Sequence, residues 1–518
     1  MPRKSGAGVR SAGLGAQTRA ATPRAGKGRR SEKKRPSVLI IGSEAQPFAK
    51  TGGLADVLGA LPSALGRLGW DATVALPKYR GVSAGTLIET LSVTVGGFTR
   101  DVGFFEAPLA DGARALLIDC PELIDRDALY GPNTTDYPDN ARRFAMLVRA
   151  ALEFAARRGA PSVVHAHDWQ AGLAPVYLRT LYAAHPVLGG TPSVFTIHNL
   201  AYQGLFEANW LPQLDLPWPL LTLEGLEYWG RISTLKGGIN FADLVTTVSR
   251  RYAEEIQTPA FGFGFDGILR ARRDRLVGIL NGIDTREWDP AHDPFLPKPF
   301  DASDLAGKRA AKRALLERYG LPVDAAALKR PIVGMVSRMV DQKGFDLIAA
   351  AADDLTRLDA TFVVLGTGEA RYQQLWTALA ARHPDRIGAH IGFDESLAHL
   401  VEGGADIFLM PSKFEPCGLN QMYSLRYGTP PVARAVGGLV DTVRDYAPRR
   451  PRSNGFLFEP YAAGALVEAL TRALRLFADP SKWRTLQSAG MGEDFSWDRS
   501  AQEYVKIYER AMKGSGAR

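Results

Sequence analysis

Val38-Leu39-Ile40-Ile41-Gly42, then Lys50-Thr51-Gly52-Gly53, then leucines and valines at 54, 57, 58, 61, 65 and 68, then Asp71-Ala72-Thr73-Val74-Ala75-Leu76: this succession decides the fold. The first segment is short, continuously apolar and β-branched, the composition of a strand buried on both faces of a parallel sheet. The spacing of the second apolar set is helical, and Pro62 within it predicts a kink or a break. Strand, loop, helix, strand is a βαβ unit.

The same pattern recurs outward. Ser162–Ala166, Ser193–Ile197, Leu244–Val248 and Leu276–Leu280 read as further strands of a first domain, residues 37–287. Residues 288–300 are rich in Pro and Asp without periodicity and read as a linker. Ile332–Val336, Thr361–Leu365, Ile387–Ile391, Ile407–Met410 and Pro431–Ala433 read as strands of a second domain, residues 301–490, followed by an amphipathic helix around 501–512 within 491–518 and a frayed end. The fold class is α/β: two Rossmann-like, doubly wound domains facing an interdomain cleft, with ligands at the carboxyl ends of the strands.

Composition agrees. The chain has 518 residues, 46% hydrophobic and 23% charged, which excludes a disordered chain, a coiled coil and a disulfide scaffold. No run approaches the ~18 apolar residues of a membrane-spanning helix. The net charge of +8 is a property of residues 1–36, which carry +10, against −2 for the remainder. That basic segment predicts a disordered tail without the apolar core of a secretory signal. Its composition resembles a transit peptide, and any nucleic-acid reading would rest on it alone. Cys120 and Cys417 lie too far apart for a zinc motif, and so few thiols point to a reducing compartment, the cytoplasm before a plastid.

The chemistry-bearing residues follow the strands. Lys50-Thr51-Gly52-Gly53 opens a helix, where free N–H groups, glycine backbone and a cation suit a phosphate, or else form an ordinary solvated loop. Arg338 and Lys343 occupy the same kind of loop in the second domain and can clamp a diphosphate, or form an exposed basic turn. In Phe414-Glu415-Pro416-Cys417-Gly418-Leu419 a carboxylate fixed by Pro and Gly can bind sugar hydroxyls or stabilise positive charge at a sugar carbon, or can start a helix. Cys417 is read as a packed residue rather than a nucleophile. His165-Ala166-His167-Asp168-Trp169 and His198-Asn199 read as hydrogen-bonding groups for a polyhydroxylated substrate rather than metal ligands, because no third ligand is evident. Gly262-Phe263-Gly264-Phe265-Asp266-Gly267 matches a dinucleotide fingerprint in letters only, since a helix and not a strand precedes it. Asp125-Arg126-Asp127 matches the DxD of metal-dependent sugar transferases but stands alone in a polar loop.

Together these stretches, with Ser43-Glu44-Ala45-Gln46-Pro47-Phe48, Tyr137-Pro138-Asp139-Asn140, Thr196–Gly204, Asn281-Gly282-Ile283-Asp284 and Ala435–Val443, resemble the bacterial glycogen and plant starch synthases from about residue 37 to 512. The resemblance implies a GT-B fold and retaining α-1,4-glucosyl transfer from ADP-glucose to the non-reducing end of a glucan such as glycogen. It implies no metal and no cofactor, no membrane or nucleic-acid partner, and leaves the oligomeric state open. It implies catalytic roles for Glu415, His198, Arg338 and Lys343. Substrate contacts fall to Lys50, Gly53, Asp168, Asn199, Tyr130, Gly418 and Leu419. The chain departs from many relatives at Phe393, where a tyrosine is common, and at Gln170, where a histidine is common. Other retaining GT-B enzymes place a second glutamate eight residues after the first; Tyr423 stands there, as in the synthases. Without a second carboxylate, same-face transfer suits the site better than a covalent glycosyl-enzyme.

Overall fold

The computed structural model describes residues 35–132, 135–448 and 452–515; the basic tail expected over residues 1–36 lies outside them except for its last two residues. The first half of the chain forms β1 (Ser37–Ile41), β2 (Asp71–Pro77), β3 (Thr86–Val95), β4 (Phe98–Pro108), β5 (Arg114–Asp119), β6 (Val163–His167) and β7 (Ser193–Ile197). A small sheet of β8 (Leu205–Glu207), β9 (Glu227–Tyr228) and β10 (Arg231–Ser233) intervenes before β11 (Leu244–Thr247) and β12 (Leu276–Gly278). The large sheet has the order β12-β11-β7-β6-β1-β2-β5-β4-β3. Its strands run parallel from β12 to β5, and β4 and β3 add an antiparallel edge. That edge departs from an all-parallel reading. β3 alternates exposed and buried residues along its second half, as a strand with one solvated face does.

The second sheet is built from β13 (Ile332–Val336), β14 (Thr361–Gly366), β15 (Ile387–Ile391), β16 (Ile407–Met410), β17 (Pro431–Arg434) and β18 (Phe456–Phe458). Its order is β15-β14-β13-β16-β17-β18, parallel throughout. Among the parallel strands of each sheet the order reverses at one place: between β1 and β6 in the first, and between β13 and β16 in the second. Loops leaving the carboxyl ends of those strands diverge and open a crevice.

Pro62 does not divide its helix. Gly53–Arg67 is continuous, and Leu54, Leu58, Leu61 and Leu65 are buried along it, so packing outweighs one lost N–H bond. The stretch 288–300 forms no helix or strand, but it is anchored rather than solvated. Trp288 lies between the His399 and Tyr423 rings, each 3.8 Å away and nearly parallel. The helix Trp497–Ser515 returns to the first sheet, where Tyr508 packs on Trp70 and hydrogen-bonds His165. Among the described residues no helix is long and apolar enough to cross a membrane.

Candidate active site

The loop after β1 is tied down by Glu44. Its carboxylate accepts from Thr51 N–H, from the Thr51 hydroxyl (2.6 Å), from Gly52 N–H (3.2 Å) and from the Tyr130 hydroxyl. Four donors on one buried carboxylate fix the loop that carries Lys50. Tyr130 therefore acts from behind this loop, with its hydroxyl shared between Glu44 and Ser43. Lys50 remains exposed and lies 2.6 Å from Asp56. Burial raises the Asp56 carboxyl above its ordinary value, against the pull of Lys50.

Beside this loop, β6 and β7 end in Asp168 and His198. Asp168 adopts a left-handed backbone (φ 55°) and accepts a hydrogen bond from His198 N–H at 2.7 Å. Burial pushes its carboxyl up to about 7, although the backbone N–H groups of His198 and Asn199 oppose the shift. His198 Nε2 is bonded to His167 Nδ1 at 2.8 Å, and burial lowers the His198 ring to about 3, so the imidazole is neutral. His165 and His167 are buried within the fold rather than exposed in the cleft. They point to the same face of β6, fully buried, and His165 spends both nitrogens on Tyr508 and Thr196.

The second wall comes from the loops after β13 and β16. Lys343 ends a short turn and places Nζ 2.6 Å from Glu415 Oε2, which also accepts from the Ser412 hydroxyl at 2.9 Å. Glu415 is buried, and Asn420 Nδ2 bonds the Val336 carbonyl, locking the two loops together. Arg338 is exposed, and its side-chain hydrogen bonds among the described residues are long, 3.5 Å to Tyr202 and 3.4 Å to Gln342, so its guanidinium is available to an anion. Leu419 faces Gly53 across the cleft: a Cβ on Gly53 would lie 3.5 Å from its Cδ1. Cys417 is buried and its thiol is pushed up to about 12, which excludes a thiolate nucleophile at neutral pH.

Two supports escaped the sequence reading. Glu255 of the first domain accepts the Gly437 N–H through both carboxylate oxygens (3.1 and 3.0 Å). A Cβ on Gly437 would lie 1.9 Å from the Glu415 carbonyl oxygen, so glycine is required where this helix start meets the Glu415 loop. Ser412 was also missed. Asp125 and Asp127 both grip Arg80, the former at 2.6 Å, so this DxD has a structural partner. Tyr423 stacks on Trp288 and supplies no second carboxylate. Gln170 is buried, while Phe393 is 84% exposed.

Three cations and one buried carboxylate, placed at the strand-order reversals of two facing Rossmann-like sheets, define a glycosyltransferase of the GT-B class. Residues 37–271 match the starch synthase catalytic domain, and residues 322–485 match glycosyl transferases group 1. The chain is 47% identical over 92% of its length to the glycogen synthase of Koribacter versatilis, covering 98% of that protein. It is 48% identical over 92% of its length to that of Anaeromyxobacter dehalogenans, covering 99%. The catalytic domain of starch synthase IV from Arabidopsis thaliana, bound to ADP and acarbose, superposes with a TM-score of 0.85 at 34% identity, over 92% of this chain and 99% of that one. The chain belongs to the glycogen and starch synthase family.

Proposed function

We propose that the protein transfers glucose from ADP-glucose to the non-reducing end of an α-1,4-glucan, with retention, in glycogen biosynthesis in the cytoplasm. The observation that carries this reading is the Lys343–Glu415 pair at the second crevice, facing the Lys50 loop across the Gly53–Leu419 contact. In the reaction the bond between the anomeric carbon and the β-phosphate oxygen breaks. A new bond forms to the acceptor 4-hydroxyl oxygen, whose proton leaves with ADP.

Negative charge grows on the diphosphate, where Arg338, Lys343 and Lys50 answer it; Arg is suited to a bidentate grip and Lys to a point contact. Positive charge grows at the anomeric carbon, which the Glu415 carboxylate stabilises in a site shielded from water. Asp168, His198 and Asn199 hold the glucosyl hydroxyls; with Nε2 taken by His167, neutral His198 offers Nδ1, as donor or acceptor according to its tautomer. Gly418 and Leu419 approach the donor along the backbone. With Tyr423 in place of a second carboxylate, the leaving phosphate itself is the base nearest the incoming hydroxyl. No metal or cofactor is required.

Proton NMR of maltoheptaose incubated with ADP-glucose tests this: α-1,4 signals should grow as ADP is released. Release of free glucose alone, or β-linked product, would overturn it.

A further inference from the structure

Two bulky residues near the cleft hold a backbone conformation that glycine usually occupies. Trp229 has φ 54° and Phe263 has φ 47°. Such strain persists only where surrounding contacts impose it, and it gathers at functional sites. Trp229 turns the β9–β10 hairpin and is 86% exposed; Phe263 is 38% exposed. An exposed aromatic is ordinary by itself; one held in a strained backbone beside a cleft points to a use for its face.

The two are linked. The Tyr228 hydroxyl and Gln203 Nε2 both donate to the Phe263 carbonyl, at 2.9 and 2.8 Å. Tyr228 packs edge-on against Trp229, its neighbour in the hairpin. Phe263 crosses the cleft, meeting Phe414 edge-to-face with ring centroids 5.2 Å apart. Phe414 directly precedes Glu415. Ring contact thus joins Phe263 to Phe414 beside the reacting centre, and the Tyr228 hydroxyl bond to the Phe263 carbonyl ties that pair to the hairpin tip. It also gives a purpose to Gly262-Phe263-Gly264, which follows the helix Arg250–Glu255 rather than a strand.

We propose that Phe414, Phe263 and Trp229 form a track for the glucan acceptor, with Trp229 serving glucose units remote from the reacting end. Pyranose rings present an apolar C–H face and a rim of hydroxyls without charge. Flat aromatic faces suit the first and need no ionic partner. Continuity with Glu415 favours the acceptor over an unrelated partner, and the exposed cations Lys50 and Arg338 serve the donor instead.

The inference rests on the glucosyl-transfer reading, so the test separates the two. Maltoheptaose binding to the full chain is measured by calorimetry for the wild type, Trp229→Ala, Phe263→Ala and Trp229→Phe, with ADP-glucose KM measured alongside. Both alanine variants should bind maltoheptaose about tenfold more weakly, the scale of one lost aromatic contact. Trp229→Phe should recover most of the affinity, Trp229→Ala should barely affect maltotriose, and the donor KM should not move. Alanine variants that match a wild type able to bind and extend maltoheptaose would overturn the track alone. So would a donor KM that rises in step. A wild type that neither binds nor extends maltoheptaose would overturn the transfer reading with it.

Discussion

Lys343 Nζ lies 2.6 Å from Glu415 Oε2, so under the proposed reaction the cation for the diphosphate is the same one that neutralises the carboxylate for the sugar. An ammonium has three donors, and a phosphate oxygen can join without displacing Glu415. The pair ties the loop after β13 to the loop after β16. Under the proposed reaction it couples the leaving-group side to the glucosyl side.

Glu415→Gln should therefore keep the fold while lowering kcat by ~10²-fold or more, the scale of losing one electrostatic stabiliser. The amide still accepts from Lys343 and Ser412, so the stability loss should be about 1–3 kcal/mol. Steady-state kinetics with urea unfolding checks both. A near-normal kcat would reduce Glu415 to a helix-start acid.

Lys50→Ala should raise the donor KM by about tenfold or more, because a full charge leaves the phosphate site. Its pair with Asp56 is exposed on the lysine side, so the unfolding free energy should change by under about 1 kcal/mol. Unchanged KM and kcat for ADP-glucose would remove Lys50 from the phosphates.

Activity should survive chelation. Under the proposed reaction the cationic clamp does the work that a divalent ion does in DxD enzymes, and Asp125 and Asp127 hold Arg80. Assays in excess EDTA should match untreated enzyme. Complete loss that Mn²⁺ or Mg²⁺ restores would contradict this.

Most of the parallel strands, though not β5 or β18, were legible because burial on both faces leaves continuous apolar runs such as Val38–Ile41 and Ile332–Val336. β3 and β4 were not: one half-solvated edge breaks the run into alternation, which a search for buried strands passes over. Lys50, Arg338, Lys343 and Glu415 were legible as charges placed just past strand ends. Glu255 was not, because its partner Gly437 lies 182 residues away and no local spacing records the contact. The buried state of His165 was hidden for the same reason; Tyr508, which covers it, comes from the last helix.

Acid should destabilise the fold. Burial holds the His165 and His198 rings down at about 3, from an ordinary 6.5, and lowers His167 well below its ordinary value. Unfolding lets all three take up protons, so the stability they confer is present above about pH 6.5 and lost as pH falls toward 3. Asp168, raised from 3.8 to about 7, acts in the opposite sense: its contribution is present below about pH 4 and lost as pH rises through 7. Asp56 and Glu402, also raised by burial, act in the same sense as Asp168, so the contribution of the three rings is read as the fall in urea midpoint between pH 7 and pH 5 that remains against these carboxyls. Asp168→Asn, which tolerates the same left-handed backbone, should steepen that fall. A midpoint that stays level or rises would contradict the assignment.

Donor choice tests the central claim most directly. Purified protein is incubated with glycogen and either ADP-[¹⁴C]glucose or UDP-[¹⁴C]glucose, and label retained in the polymer is counted. Incorporation from ADP-glucose, well above any from UDP-glucose, is the predicted result. Incorporation from UDP-glucose alone, or from neither donor, would contradict it.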